Sequence, residues 1–591
     1  MKVLGVIGAR LNSSRLPRKH LLDLAGEPMI ARIFQRLEKI PEIDQLVLAT
    51  TADDYNRPLL AWAREAGKPA FAFAGDVNDL VGRVDEVVRA GQPDLVVYFC
   101  GDSPLIEPRT VSRLIRAAAD HPEADLVDLA CDSLGRRAIH EGFNIYPIST
   151  WRRLVATSLS AHQREHVGSA LAQQRDELNT RFIDDEAVFY RQDHRLSVDT
   201  PSDYRFMARL YRRWYRHHGQ ESIVSLPWVI EQLEKDAALR AINTSVKQKG
   251  VTERSVKTLI VTQCGSRIGL GHVGRMFALT QALQDEMAAG VEWLIQGEPF
   301  EHEALSLVPH RFIAAEADLL IALEQRLAAG GVEAVVFDLA PAHLPAQLGR
   351  GLEQMRRDGL VTVAVDGLID LADQLDAIHI PSFYLPSRFQ PLARSGKLGY
   401  GWDHYLISRD LLPQSPRPAG RRLMVLTGGS DVAGLGRLWP ALLTRALPAD
   451  VTITWIRGPF APPPDLPSPR PAAPNRWRVL HAPDHLAEVM AGADFALTLY
   501  GVTLFELLQL GIPTVTWTPD RRLAAEMAAL AGQEVAQVAD SAEAAVAQLA
   551  TLVEDPSRAA RLASRARGKL TPGRGARLLA QRIVSLVEAE S

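Results

Sequence analysis

Short apolar runs dense in Val, Ile, Leu and Phe recur along the chain, separated by segments whose apolar positions return every three to four residues. That alternation predicts α/β architecture, with parallel sheets covered by helices. VLGVI, QLVLATT, AFAFAG and DLVVYFC are the clearest strands of the first part. TLIVT, VEWLIQ, AVVFD, VTVAVD, RLMVLTGG, VTITWIRG, DFALTLY and PTVTWTP follow in the second. Between the two sets, NTSVKQKGVTERSVK (Asn243 to Lys257) is polar and aperiodic, as a linker is. ISRDLLPQSPRPAGRR interrupts the alternation again before a strand begins at Arg422, which divides the second part into two subdomains with a cleft between them. The proline-rich PFAPPPDLPSPRPAAP predicts a surface loop. The expected organisation is a first domain over 1–242, a linker over 243–257, and subdomains over 258–412 and 413–591. YRFMARLYRRWYRHH, Tyr204 to His218, reads as an amphipathic helix with a solvated basic face; a subunit contact, and with it a homodimer, is the alternative.

Composition narrows the function classes. A chain of 591 residues exceeds what one core supports, so several domains are expected. An apolar share of 47% with 23% charged is ordinary for a soluble globular protein. The net charge of −4 argues against a nucleic-acid binder, which carries a basic excess. Cys100, Cys131 and Cys264 are too few and too scattered for a disulfide framework or a zinc site. The opening MKVLGVIGAR reads as a strand rather than a signal peptide, and no apolar run reaches membrane length. A cytoplasmic enzyme of small molecules is the expectation.

The first strand leads into GARLNSSRLPRKHLLDLAGEPMI, which lacks the Walker spacing. It still gathers Arg10, Arg15 and Lys19 with Ser13 and Ser14 at the carboxyl end of a strand, where open α/β sheets bind ligands. Cations there would neutralise charge on a triphosphate; a basic surface loop is the plain alternative. DLVVYFC runs into GDSPLIEP, so Asp102 ends a buried strand, where a carboxylate is costly without a metal or a partner. Mg²⁺ suits it, since that ion binds through one or two carboxylates plus water and phosphate oxygens. Asp199 in RLSVDTPSDY is a second candidate ligand, or else a helix cap before Thr200-Pro201.

SSRLPRKHLLDLAGEPM, LVLATTADD, DVNDLVGRVDEV, FCGDSPLIEP and RLSVDTPSDY, in this order, resemble the cytidylyltransferase family that activates acidic sugars, especially its spore-coat polysaccharide branch. The resemblance runs from Met1 to about Leu210. It implies a nucleotide-diphospho-sugar transferase-like, Rossmann-type domain that transfers CMP from CTP to a 2-keto-3-deoxy or nonulosonic acid with Mg²⁺. Arg10, Ser13, Arg15 and Lys19 would contact the nucleotide, with Lys19 and Arg10 taking part in catalysis, and Asp102 and Asp199 would hold the metal. Arg18 stands where the family's Arg-Leu-Pro-Gly-Lys has glycine, and Ser197 where sialic-acid-activating relatives often carry a second acid.

GSRIGLGHVGR, residues 265–275, holds the spacing G-x-G-x-x-G after a strand. A dinucleotide turn begins where its strand ends, whereas here Cys264 to Ile268 intervene before Gly269. The loop therefore reads as one that presents His272, between Gly269-x-Gly271 and a following helix, as a general base; a packing histidine is the alternative. GGSD after RLMVLT and YGVTLFELLQLGIPTV after DFALTL are glycine turns at strand ends, suited to a pyrophosphate. Gly428, Gly429, Gly501 and Thr503 fall in these turns, and Glu506 lies where a carboxylate can accept from ribose hydroxyls. A capping pair of Thr503 with Glu506 is the structural alternative.

Together these three motifs resemble the glycosyltransferase-B family, and more narrowly the UDP-sugar hydrolase of the pseudaminic acid pathway. The resemblance implies that water activated by His272 releases UDP from a UDP-diacetamido-trideoxyhexose. Asp338-Leu339-Ala340 stands where relatives have Asp-x-Tyr, and Arg521-Arg522 where they have Asn-Gln. The two resemblances together imply a bifunctional enzyme of bacterial nonulosonic acid synthesis, pseudaminic or legionaminic-like. The phosphoenolpyruvate-dependent condensation between its two steps falls to a separate synthase, because neither half shows an eightfold βα pattern. A glycosyltransferase or a non-catalytic nucleotide-sugar-binding module are the alternatives for the second half.

Overall fold

Val3–Gly8 (β1) is buried almost throughout, because it has parallel neighbours on both sides. Those neighbours are Gln45–Thr51 (β2) and Leu95–Cys100 (β4); Ala70–Phe73 (β3) extends one edge beyond β2. Leu126–Leu129 (β5) pairs with Thr180–Ile183 (β7), while Phe143–Pro147 (β6) closes the other edge of the main sheet, antiparallel to β4. The sheet order is β3-β2-β1-β4-β6. The computed structural model describes residues 1–157, 159–172, 177–247, 255–412, 420–467, 476–483 and 486–590. The chain separates into one unit over Met1–Glu253 and another over Arg254–Ser591. Residues 248–254 of the expected linker, 413–419 of the segment before Arg422 and 468–474 of the proline-rich loop lie outside the described residues.

The second unit carries two wholly parallel sheets. The first consists of Lys257–Cys264 (β8), Gly290–Gly297 (β9), His310–Ile313 (β10), Ala334–Asp338 (β11), Val361–Val365 (β12), Ala377–His379 (β13) and Leu398–Gly399 (β14), in the order β10-β9-β8-β11-β12-β13-β14. The second consists of Arg422–Leu426 (β15), Thr452–Arg457 (β16), Trp477–His481 (β17), Phe495–Leu499 (β18), Thr514–Trp517 (β19) and Gln537–Val538 (β20), in the order β17-β16-β15-β18-β19-β20. Every strand run named from the sequence forms a strand here. The additional ones, such as β14 and β20 with two residues each, are short and lie mostly at sheet edges.

One topological feature recurs in the three larger sheets. Strand order reverses between β1 and β4, between β8 and β11, and between β15 and β18. The loops that leave the carboxyl ends of such a pair diverge to opposite faces and open a crevice, which is where α/β sheets bind ligands. The last helix, Arg574–Glu590, follows the second of the two sheets in sequence yet packs into the core of the first. Its Leu579, Ala580 and Ile583 lie against Met276, Leu279 and Leu283 of the helix Gly271–Glu286. In the first unit the helix Pro201–Tyr215 buries Phe206, Met207, Leu210 and Tyr211 and turns Arg209 and Arg212 outward, as its sequence predicts. No described helix is long and apolar enough to cross a membrane.

Candidate functional site

In the first unit the loop after β1 and the loop after β4 meet at the switch point. Lys19 sits in a short 3-10 turn, Lys19–Leu21, and its side chain is buried. Its ammonium donates to Asp102 Oδ2 at 3.0 Å and to Asp199 Oδ1 at 2.8 Å. Burial alone would depress that ammonium, but the two carboxylates outweigh it and hold it above the usual lysine range. Burial likewise works to raise Asp199, and Lys19, Arg15 and Arg195 reverse the effect, so its carboxyl lies well below the ordinary range. Arg15 approaches Asp199 at 3.4 Å, and Arg195 donates to it as well. Asp199 does not cap the following helix: Thr200 does, accepting from Asp203 N, with Asp203 completing the capping box.

Arg10 is directed elsewhere. Its guanidinium bonds Val77 O at 3.1 Å, Asn78 Oδ1 at 2.6 Å and Glu165 at 2.7 Å, while Ser13 Oγ accepts from Leu16 N and shapes the loop. His20, next to Lys19, is buried with Nδ1 2.7 Å from Gly101 O. Burial, reinforced by the Lys19 charge, pushes its pKa down to about 4, so it ties the β1 loop to the β4 loop as a neutral ring. Arg18 adopts φ 58°, the left-handed backbone that favours the glycine it replaces. Two convergent carboxylates that already share one cation supply hard oxygen ligands suited to Mg²⁺. No cluster of three or more His, Cys, Asp or Glu side chains suited to a metal occurs among the described residues, so water and phosphate oxygens would have to complete such a shell.

In the second unit the loop 265–270 is closed by a hydrogen bond from Gly269 N to Gly265 O at 2.7 Å, with Gly269 at φ 81°. The helix Gly271–Glu286 starts directly after it, which puts His272 in its first turn. Its imidazole Nδ1 lies 2.7 Å from Asp338 Oδ1, at the end of β11 across the switch point from β8. Asp338 is fully buried and also accepts from Arg275 Nε at 2.6 Å and Nη2 at 2.5 Å. Burial would raise this carboxyl, but Arg275 and His272 hold it below the usual range, so it is ionised and can only accept. An acceptor at this distance favours the tautomer with its proton on Nδ1, which would leave Nε2 as the nitrogen to act as a base, although Arg275 Nη2 also lies 3.1 Å from Nδ1. Arg275 Nη1 reaches on to Asp366 at 3.2 Å, just past β12, where φ is 64°, a strained backbone of the kind that collects at functional sites.

The second sheet brings its turns to the same place. A Cβ on Gly429 would stand 2.9 Å from Leu270 N, and one on Gly269 would stand 3.6 Å from Ser430 Oγ, so the turn after β15 lies directly on the loop that presents His272. Gly501 precedes the helix Val502–Leu510 with no side-chain cap, so the capping pair of Thr503 with Glu506, the alternative reading of these two residues, is not formed. Burial pushes the half-buried Glu506 carboxyl up to about 7. Nearby Tyr500 donates to Glu526 at 2.7 Å, and Glu526 also accepts from Ser382 of the first sheet's layer. Arg522 pairs with Asp520 on the surface.

Sequence reasoning left Asp338, Asp366, His20 and Glu526 out of the site. For Asp338 and Asp366 the signal was present, since each ends an apolar strand run just as Asp102 does. His20 and Glu526 carry no such mark, because their roles depend on contacts far apart in sequence.

Residues 4–225 match the family model described as Cytidylyltransferase. An uncharacterised protein of Methanocaldococcus jannaschii is 23% identical over 257 residues, 43% of this chain and 99% of its own length. The 3-deoxy-manno-octulosonate cytidylyltransferase of Acidobacterium capsulatum is 33% identical over 130 residues, 22% of this chain and 51% of its own length. The chain thus spans about half the length of that enzyme. Among solved structures, Acinetobacter baumannii MurG aligns with 56% of this chain and 99% of its own at 15% identity, with a TM-score of 0.38. Residues 4–225, within the first unit, are of the cytidylyltransferase family.

Proposed function

We propose that the first unit transfers CMP from CTP to an acidic sugar of the 2-keto-3-deoxy or nonulosonic class. The convergence of Lys19, Asp102 and Asp199 at the β1/β4 switch point carries this reading. A sugar hydroxyl attacks the α-phosphorus of CTP and releases its proton to solvent, the new P–O bond forms, and pyrophosphate leaves with the electrons of the bond that breaks. Lys19 and Arg15 are the cations available to oppose charge on the phosphates. Mg²⁺, held by Asp102 and Asp199, would supply further neutralisation of the phosphate oxygens. Pyrophosphate release from CTP with a panel of acidic sugars tests it. Asp102→Asn should abolish Mg²⁺-dependent release while leaving the fold intact, and near-normal turnover would remove Asp102 from the mechanism.

For the second unit we propose a glycosyltransferase-B-like hydrolase of a UDP-sugar, with residues 258–412 carrying the base and 413–591 the nucleotide contacts. The His272–Asp338 pair supports this best. Water gives its proton to Nε2, its oxygen bonds the anomeric carbon, and the bond to the UDP oxygen breaks. Asp338 then stabilises the imidazolium. UDP release from UDP-diacetamido-trideoxyhexoses without any acceptor supports hydrolysis. Strict dependence on an acceptor would make the unit a transferase, and binding without release a binding module. With both activities the chain serves nonulosonic acid synthesis in the cytoplasm, beside a separate phosphoenolpyruvate-dependent synthase.

A further inference from the structure

At the outer edge of the second unit's second sheet, β20 borders a cleft of about 430 Å³. β18 and β19 lie between this edge and β15, so it is separate from the turns at Gly429 and Gly501. One wall is the helix Pro556–Arg567, which presents Arg558, Arg561 and Arg565 along a single face by their spacing of three and four residues. Thr551 contributes from the helix Ala542–Val553. Glu534 is the only acid in the lining and pairs with Arg565. Three guanidinium groups thus face one carboxylate, and no acid pairs with Arg558 or Arg561 among the described residues.

A second observation points to a ligand. Gln537 of β20 lines the same cleft, is only 6% exposed, and its Nε2 has no hydrogen-bond partner. A buried amide donor left unmet carries its full desolvation penalty, so such a group at a cleft wall calls for an acceptor. Guanidinium forks, an amide donor and a hydroxyl together match the oxygens of phosphate groups. The lining contains no aromatic ring on which a base would stack, which disfavours a nucleoside.

We propose that this cleft binds a compact phosphorylated anion, a diphosphate or a sugar phosphate, through Arg558, Arg561 and Gln537. The test is calorimetric titration of the full chain, with CTP and UDP present at saturation to fill nucleotide sites. Inorganic pyrophosphate is injected in one arm and glucose 1-phosphate in the other; the arm with the tighter binding tells which source the cleft prefers. Binding of at least one should weaken tenfold or more in the double variant Arg558→Ala/Arg561→Ala, and also in Gln537→Leu, with unchanged circular dichroism and melting midpoint showing intact folds. Binding should also weaken as salt rises, by more in the wild type than in the double variant. The proposal is overturned if neither anion binds, or if the double variant binds both as the wild type does.

Discussion

Asparagine at position 338 would keep the shape of the side chain and remove its charge. In the proposed hydrolysis the ionised Asp338 directs the proton of His272 to Nδ1 and balances the charge that ring would acquire when Nε2 takes a proton. An amide can present its NH₂ to Nδ1 instead, which turns the tautomer around and protonates the nitrogen meant to act. His272→Ala and Asp338→Asn should therefore each lower UDP release by about 10²-fold or more, with UDP binding retained, measured by single-turnover hydrolysis beside equilibrium titration. A variant with normal turnover would exclude the pair from the chemistry. Arg18 permits a test of backbone strain. Its left-handed φ of 58° costs an L-residue roughly 1–2 kcal/mol, and glycine returns part of that gain through its freer unfolded chain. Arg18→Gly should leave the first unit as stable or up to ~1 kcal/mol more so in denaturant titration; a clear loss would mean that the exposed side chain makes a contact of its own. Both positions were visible in the sequence, Arg18 as a departure from a glycine and Asp338 as the end of AVVFD. The pairing of Asp338 with His272 was not, because the two lie 66 positions apart.

At the scale of elements, the three larger sheets repeat one solution: the strand pair at which order reverses carries the polar side chains. Apolar runs made the central strands legible, since a strand buried on both faces must be apolar throughout. The two-residue strands β14 and β20 carry no pattern to read, and the return of Arg574–Glu590 to the earlier sheet is a long-range packing choice that local periodicity does not encode. The helix Val502–Leu510 also sets a pH dependence. Its Glu506 has a pKa of about 7 in the fold against an ordinary 4.5, so between these values the folded state holds a proton that the unfolded chain has lost. This group's stabilising contribution is thus complete below pH 4.5 and is lost as pH rises through 7. Ribose hydroxyls donate best to the ionised form. UDP affinity should therefore rise between about pH 6 and pH 8, and Glu506→Gln should flatten that rise. An unchanged slope in the variant would assign the pH dependence to another group.

On the scale of the whole chain, two sets of chemistry occupy two units. Lys19, Asp102 and Asp199 belong to Met1–Glu253, whereas His272, Asp338 and Glu506 belong to Arg254–Ser591. The proposed reactions also differ in what they require. Phosphoryl transfer from a triphosphate builds negative charge between oxygens that a divalent cation relieves, while attack of water on an anomeric carbon needs a base and a leaving diphosphate. The carboxylates near His272 do not offer a comparable cation site. Asp338 has no exposed surface, with both oxygens taken by Arg275 and one also by His272, whereas the side chains of Asp102 and Asp199 are 27% and 25% exposed. Chelation should consequently divide the two activities within one intact chain. With EDTA in excess, CMP transfer should fall to background, while UDP release retains most of its rate. The single variants should divide them in the same way, Asp102→Asn sparing UDP release and His272→Ala sparing CMP transfer. Both products are measured in one reaction vessel, by chromatography of pyrophosphate and UDP, so that loss of protein cannot imitate loss of one activity. If EDTA or either variant removed both activities together, the assignment of one reaction to each unit would fail.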